Sequence, residues 1–317
     1  MRTAILVPTF ARYLPVARLT VTLLDRHWPD HPPIHVCGVT ELPFGGAEGI
    51  PLRTDPLDWM GIVRDAVSTL RAEGYGLAYL LLDDHPPFAP CHGEHLRSTL
   101  PGWMEAFNAT TIGLYGWDHR KDSSGRGLGG AHLHLQRQNP HYQWKFGLSP
   151  ALWDLAVLEG ILEKMGDAPS LKDRGPWRFE SRSGRVDAPL PAAWKEGCYR
   201  VCGVAMRTRP VRWRDLAASA SAYAAGRIYR QVRKGIERIG GVGALEWADR
   251  VYGWDDFFFE GPYPMYVNGI MHRGGVNRGL IRWLERTGRV ALRAEIETAV
   301  AQVGAGPAAG GGKPCAA

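Results

Sequence analysis

Apolar residues recur in two rhythms along the first hundred positions of the chain. Residues 3–7 are a short, mostly apolar run closed by Pro8-Thr9, which predicts a buried strand followed by a loop. The apolar start MRTAILV is too short for a secretory leader and meets Pro8, so it fits that first strand better. Val16, Leu19, Leu23 and Leu24 then fall at helical spacing within residues 16–27, and Pro29, Pro32 and Pro33 stop the helix. Residues 34–39 read as a second strand. Residues 59–72 are helical again, Gly74 breaks the pattern, and residues 77–82 form an apolar run that halts at Asp83-Asp84. Strand, helix, strand, helix, strand at this spacing predicts parallel strands joined by crossover helices, an α/β sheet.

Further along, residues 110–115 are expected to be another strand. Residues 150–165 are expected to be a helix lined by Leu152, Leu155, Leu158 and Leu162. The Ala- and Arg-rich stretch 210–250 reads as helical with a break at Gly240-Gly241, and SSGRGLGG (123–130) as a loop that lacks the Lys-Ser/Thr ending of a phosphate-binding loop. The expected division is a catalytic core over 1–205, a helical C-terminal region over 206–303 that completes the site, and a Gly/Ala/Pro-rich disordered tail over 304–317.

Composition narrows the class of protein. At 317 residues and 45% apolar, with 12 Trp, the chain can bury a large core and is not a disordered or collagen-like polymer. Five scattered cysteines make no disulfide framework, and the isolated pair Cys198 and Cys202 makes a poor zinc site. No apolar run approaches the length of a membrane span. The cytoplasm is therefore the compartment expected by default. A net charge of +6 suits nucleotide phosphates, nucleic acid or an anionic membrane surface alike. No zinc-finger or basic-aromatic single-strand motif is present, which argues against nucleic acid. The basic stretch 207–238 could lie on the inner face of a membrane or be an ordinary helix with one solvated face.

Two adjacent carboxylates at the carboxyl end of a buried strand stand where open parallel sheets bind ligands. Such a pair can supply one ligand to Mg²⁺ or Mn²⁺ and one acceptor for a ribose or sugar hydroxyl. It can also simply end the strand as a turn. A second pair, Asp255-Asp256, follows no apolar strand and is the weaker metal candidate.

The acidic stretch YLLLDDHPPF (79–88) resembles the signature of nucleotide-sugar-dependent glycosyltransferases of the GT-A fold and, more narrowly, is similar to a group of bacterial GT-A-like transferases. The resemblance extends to VPTFARY (7–13), LLDRHWP (23–29), Thr40-Glu41, Trp59, LSPALW (148–153), PWRFE (176–180) and YVNGIMHRGGVNRG (266–279), in that order. Two positions depart from the group's pattern: His85 stands where an aromatic is expected, and Ser149 where Gln is common.

The resemblance implies a Rossmann-like α/β fold of GT-A type, with a mixed, mainly parallel sheet flanked by helices and a helical C-terminal region. It implies metal-dependent transfer of a sugar from a nucleoside-diphosphate sugar to an acceptor hydroxyl, in polysaccharide or glycoconjugate synthesis. The acceptor would be a glycan, a lipid-linked molecule or a small molecule. On this reading Thr9, Arg12 and Arg273 contact the nucleotide, and Asp83 the ribose or donor sugar. Asp84 and His272 hold Mn²⁺ or Mg²⁺, and Asp84 and Glu180 carry the catalysis, Glu180 as general base. Plainer readings stand beside these: Arg12 and His272 as ordinary loop residues, and Glu180 as the ion-pair partner of Arg178 or Arg182. A nucleotidyltransferase shares the same metal and carboxylate logic, and a non-catalytic basic binding protein is the third reading.

Overall fold

The computed structural model describes residues 1–40, 45–115, 134–137, 146–166, 170–183, 197–202, 204–207, 257–272 and 274–305, with positions 232, 235–236, 238–241, 244 and 247–248. The loop 123–130, the pair Asp255-Asp256, Arg273, Glu41, most of the basic stretch and the tail beyond 305 lie outside the described residues.

Eight strands form the main sheet: β1 (Arg2–Pro8), β2 (Ile34–Cys37), β3 (Glu48–Ile50), β4 (Tyr75–Leu80), β5 (Ala109–Gly113), β6 (His134–Arg137), β7 (Ala151–Asp154) and β8 (Gly197–Cys202). Their spatial order is β3-β2-β1-β4-β7-β5-β8-β6. The first four run parallel, β7 lies antiparallel between β4 and β5, β8 is parallel to β5, and β6 is antiparallel at the edge. This is the mixed, mainly parallel α/β sheet expected from the sequence.

Side-chain alternation explains why helices cover both faces. Ala4 and Leu6 of β1, with Ala78 and Leu80 of β4, point into one core shared with α2 (Trp59–Ala72) and α4 (Leu155–Gly166). Ile5, Val7, Leu77 and Tyr79 point into the other, shared with α1 (Leu14–His27) and α3 (Leu100–Ala106). A parallel strand buried on both faces needs an apolar residue at every position, which is why β1 and β4 read as unbroken runs. Asp58 starts α2 by accepting the Gly61 amide at 2.9 Å, and it is itself pinned by Arg174 at 2.9 Å.

The element at residues 150–165 differs from the sequence expectation. Residues 151–154 are strand β7, and the helix begins only at Leu155. Asp154 takes the amides of Ala156 and Val157 at 3.0 and 3.1 Å, so the side chain ends the strand and opens the helix. The apolar run ALW is buried between β4 and β5, where two neighbouring strands satisfy its backbone.

The C-terminal part adds a three-stranded sheet of β9 (Val204–Arg207), β10 (Phe257–Glu260) and β11 (Met265–Tyr266). A hairpin of β12 (Met271–His272) and β13 (Gly275–Val276) follows. The chain also forms helices α5 (Pro176–Ser183), α6 (Arg278–Arg286) and α7 (Val290–Ala305). Residues of α6 and α7 form a third core with Val16, Leu19 and Leu23 of α1. Among the described residues no helix is long and apolar enough to cross a membrane.

At Gly38 the backbone is left-handed (φ +93°), and a Cβ there would lie 2.1 Å from the Thr9 carbonyl oxygen. This close approach holds the β1 exit loop against β2, together with the Thr9 amide bond to the Cys37 carbonyl at 2.9 Å. Gly38→Ala should therefore destabilise the protein by at least about 2 kcal/mol. Thermal unfolding checks this, and a melting temperature within about 1 °C of wild type would contradict it.

Candidate functional site

The strand order places a topological switch between β1 and β4: the chain leaves β1 toward β2 on one side and returns as β4 on the other. In open α/β sheets the crevice for a ligand opens beyond the carboxyl ends of the strands at such a point. Thr9 follows β1 and Asp83 follows β4, and they meet here: the Thr9 hydroxyl donates to Asp83 Oδ2 at 2.6 Å. Thr20 on α1 donates to the Asp83 carbonyl at 2.5 Å. The loop from β1, the loop from β4 and the helix between them are thus joined through one residue.

The C-terminal segment closes over this acidic loop. The Ile270 amide donates to the Asp84 carbonyl at 2.7 Å, the Phe88 amide to Pro264 at 2.9 Å, and the Tyr263 hydroxyl to the His85 carbonyl at 2.8 Å. Gly269 (φ +68°) packs so closely that a Cβ would lie 2.8 Å from Asp84 Oδ2. Asn277 steadies the same turn through its amide contacts to the Asn268 and Gly269 carbonyls at 3.4 and 3.3 Å.

His85 carries contacts at both ring nitrogens. Nδ1 faces Asp84 Oδ1 at 2.8 Å and Nε2 faces the Val267 carbonyl at 3.2 Å. A carbonyl oxygen accepts, and a carboxylate oxygen readily does so, so this pair of contacts favours the doubly protonated ring. Burial alone would lower its pKa, but the Asp84 charge, the two hydrogen bonds and the Asp83 charge together raise it. Asp83 shifts upward from 3.8 to about 7, first because it is buried and then because Asp84 is adjacent; the Thr9 bond and His85 only partly offset this.

The remaining sequence candidates are placed as follows. Arg12 is exposed in a single 3₁₀ turn, Ala11–Tyr13, leading into α1. His272 lies exposed on β12, two residues beyond the Ile270 contact to Asp84. Glu180 of α5 accepts the Leu148 amide at 2.7 Å. Ala151 pairs with both Leu80 and Gly113, so Leu148 lies past the carboxyl end of β4, on the same edge of the sheet as the acidic pair. Arg178 pairs with Asp173 at 3.2 Å. In the aromatic segment before Glu180, Phe179 is fully buried against Trp59 and Trp153, whereas Trp177 is 60% exposed. The double contact of His85, the Tyr263 hydroxyl and the Gly269 approach were not anticipated from the sequence; the one available signal was the unusual residue after the acidic pair.

A hard divalent ion shared with a diphosphate needs only one or two protein carboxylates. Asp84 fits that requirement: His85 occupies Oδ1, and a glycine rather than a side chain lies against Oδ2. Among the described residues no three His, Cys, Asp or Glu gather as an all-protein metal cage.

No protein-family model matches the chain, and no curated protein matches it closely enough to count as a relative. Similar solved structures include TarS 1-349 of S. aureus, with 12% identity and a TM-score of 0.35 over 64% of this chain and 58% of that one. The chain thus spans little more than half of TarS 1-349. Another is mannose-1-phosphate geranyltransferase of Thermus thermophilus, with 14% identity and a TM-score of 0.35 over 64% of this chain and 74% of that one. A third is A197 from STIV, with 14% identity and a TM-score of 0.29 over 64% of this chain and 81% of that one.

The two shifted groups give stability a definite pH dependence. The folded chain keeps a proton on Asp83 that the unfolded chain has already released between pH 3.8 and about 7, so stability falls as pH rises across that window. His85 acts in the same direction: its contribution is complete below 6.5 and is lost as pH climbs through its raised value. Thermal unfolding followed from about pH 5 to about pH 8.5 should show this decline. Asp83→Asn, which can still accept from Thr9, should flatten it and exceed wild type in stability at the alkaline end. Identical slopes for the two proteins would refute the assignment.

Proposed function

We propose that this protein is a metal-dependent glycosyltransferase that moves a sugar from a nucleoside-diphosphate sugar to an acceptor hydroxyl. The observation that carries the reading is the Thr9–Asp83 bridge across the switch point, with Asp84 beside it. A buried carboxylate beside a second one is costly to keep, and a donor's hydroxyls and a shared cation are what such a pair is suited to bind. Asp83 takes the ribose or donor-sugar hydroxyl, its position set by Thr9 and Thr20. Asp84 is the protein's ligand to Mn²⁺ or Mg²⁺ through Oδ2, with His272 on the adjacent hairpin as the second candidate ligand. When bound, the metal would offset negative charge on the departing nucleoside diphosphate.

Arg12 and Arg273 are the cations assigned to the nucleotide phosphates. Glu180 is assigned as the base that takes the acceptor proton, anchored through Leu148 on the same edge of the sheet. A nucleotidyltransferase would use the same pair of acids, and the two reactions differ in product: a transferred sugar against released pyrophosphate.

Asp84→Asn keeps an oxygen to accept from His85 while removing the charge. It should lower sugar transfer and donor hydrolysis by about 100-fold or more and change stability by less than about 1 kcal/mol. A panel of nucleoside-diphosphate sugars with and without Mn²⁺, read first by thermal shift and then by turnover, checks this. Unchanged turnover in the variant would remove Asp84 from the site. Pyrophosphate released from a nucleoside triphosphate and a sugar phosphate would replace the glycosyltransferase reading with the nucleotidyltransferase one.

A further inference from the structure

Asp84 sits on the short loop after β4, and its carboxylate has a defined direction. His85 supplies that direction from the neighbouring position. Its ring spans from Asp84 Oδ1 at 2.8 Å to the Val267 carbonyl at 3.2 Å, and its own carbonyl is held by the Tyr263 hydroxyl at 2.8 Å. The side chain is only 12% exposed and that of Asp84 20%. His85 is therefore fixed at three points, two of them on the segment 263–267, and its Nδ1 meets only one oxygen of Asp84. The other, Oδ2, is the oxygen that lies against Gly269.

We propose that His85 is a positioning residue: it locks the Asp84 carboxylate in the rotamer that presents Oδ2 to a divalent cation, using the Val267 carbonyl as its fixed anchor. This rests on the metal-binding role assigned to Asp84 above. Residues that orient a metal ligand typically change metal affinity by about 10- to 100-fold when removed, without touching the metal themselves. Nδ1 performs the orienting, and Nε2 keeps the ring from swinging away.

The two ends of the ring can be separated. In His85→Asn the side-chain amide nitrogen stands near the place of Nδ1 and can still donate to Asp84. In His85→Gln it stands near the place of Nε2 and can reach Val267 only. His85→Phe keeps the ring shape and loses both contacts. The measurement is the Mn²⁺ concentration needed for half-maximal thermal stabilisation by UDP and by GDP, alongside kcat and KM for whichever donor the wild type uses.

His85→Gln and His85→Phe are expected to raise the required Mn²⁺ by at least about 10-fold. His85→Asn is expected to stay closer to wild type than either, and kcat at saturating Mn²⁺ should fall less than the Mn²⁺ response does. Should His85→Phe fail to fold, the Asn and Gln variants still decide the matter. Equal Mn²⁺ responses in wild type and variants would overturn the positioning role while leaving the metal site intact. No Mn²⁺ response in wild type would overturn both the positioning role and the metal assignment beneath it.

Discussion

The structure turns on one buried carboxylate at the junction of two loops. Asp83 is held by Thr9 from the first strand's exit and by Thr20 from the first helix. The residues immediately after it are tied to a segment far downstream, with sequence separations of 178 and 182 in the Tyr263 and Val267 contacts. Neither hydrogen-bonding group could form its contacts in an isolated strand–helix–strand unit. The acidic loop takes its final shape only when chain from opposite ends of the sequence has come together, and long-range closure of this kind is slow to form and cooperative once made.

That closure explains why an unfavourable pair of neighbouring acids persists. Burial and the neighbouring Asp84 both oppose ionisation of Asp83, and the Thr9 hydroxyl bond and the nearby His85 offset only part of the penalty. A side chain chosen for stability alone would not be acidic here. Proteins commonly accept such local losses where a ligand must be bound, and the surrounding apolar layers supply the compensation. In this chain those layers are extensive: β1 and β4 are covered on both faces, and Trp28, Trp153 and Tyr79 are fully enclosed.

Much of the architecture was legible in the pattern of residues. Buried parallel strands must be apolar throughout, so residues 3–7 and 77–82 announced themselves, and the helix at 59–72 matched its observed span. The placement of Asp83-Asp84 at a strand end followed from the same logic. What remained hidden depended on partners distant in sequence. Residues 150–165 carry leucines at helical spacing, yet residues 151–154 join a strand because two other strands offer them hydrogen bonds. His85 looked like an interruption in an acidic motif. Its meaning lies in a carbonyl 182 positions away, which no local pattern encodes. Glu180 reads as an ion-pair candidate from its neighbours, and its contact to a backbone amide 32 residues earlier is one that no local pattern shows.

The first helix belongs to two interiors at once. Leu14, Val21 and Leu24 face the sheet, whereas Val16, Leu19 and Leu23 meet the two last helices. A surface helix would have left that second stripe to water. Among the described residues the two last helices are consequently no detachable appendage: trimming them away would strip an oily wall from the same rod that carries Thr20. Modular shuffling of this sheet-and-helix core onto other partners would have to bring a replacement for that wall with it.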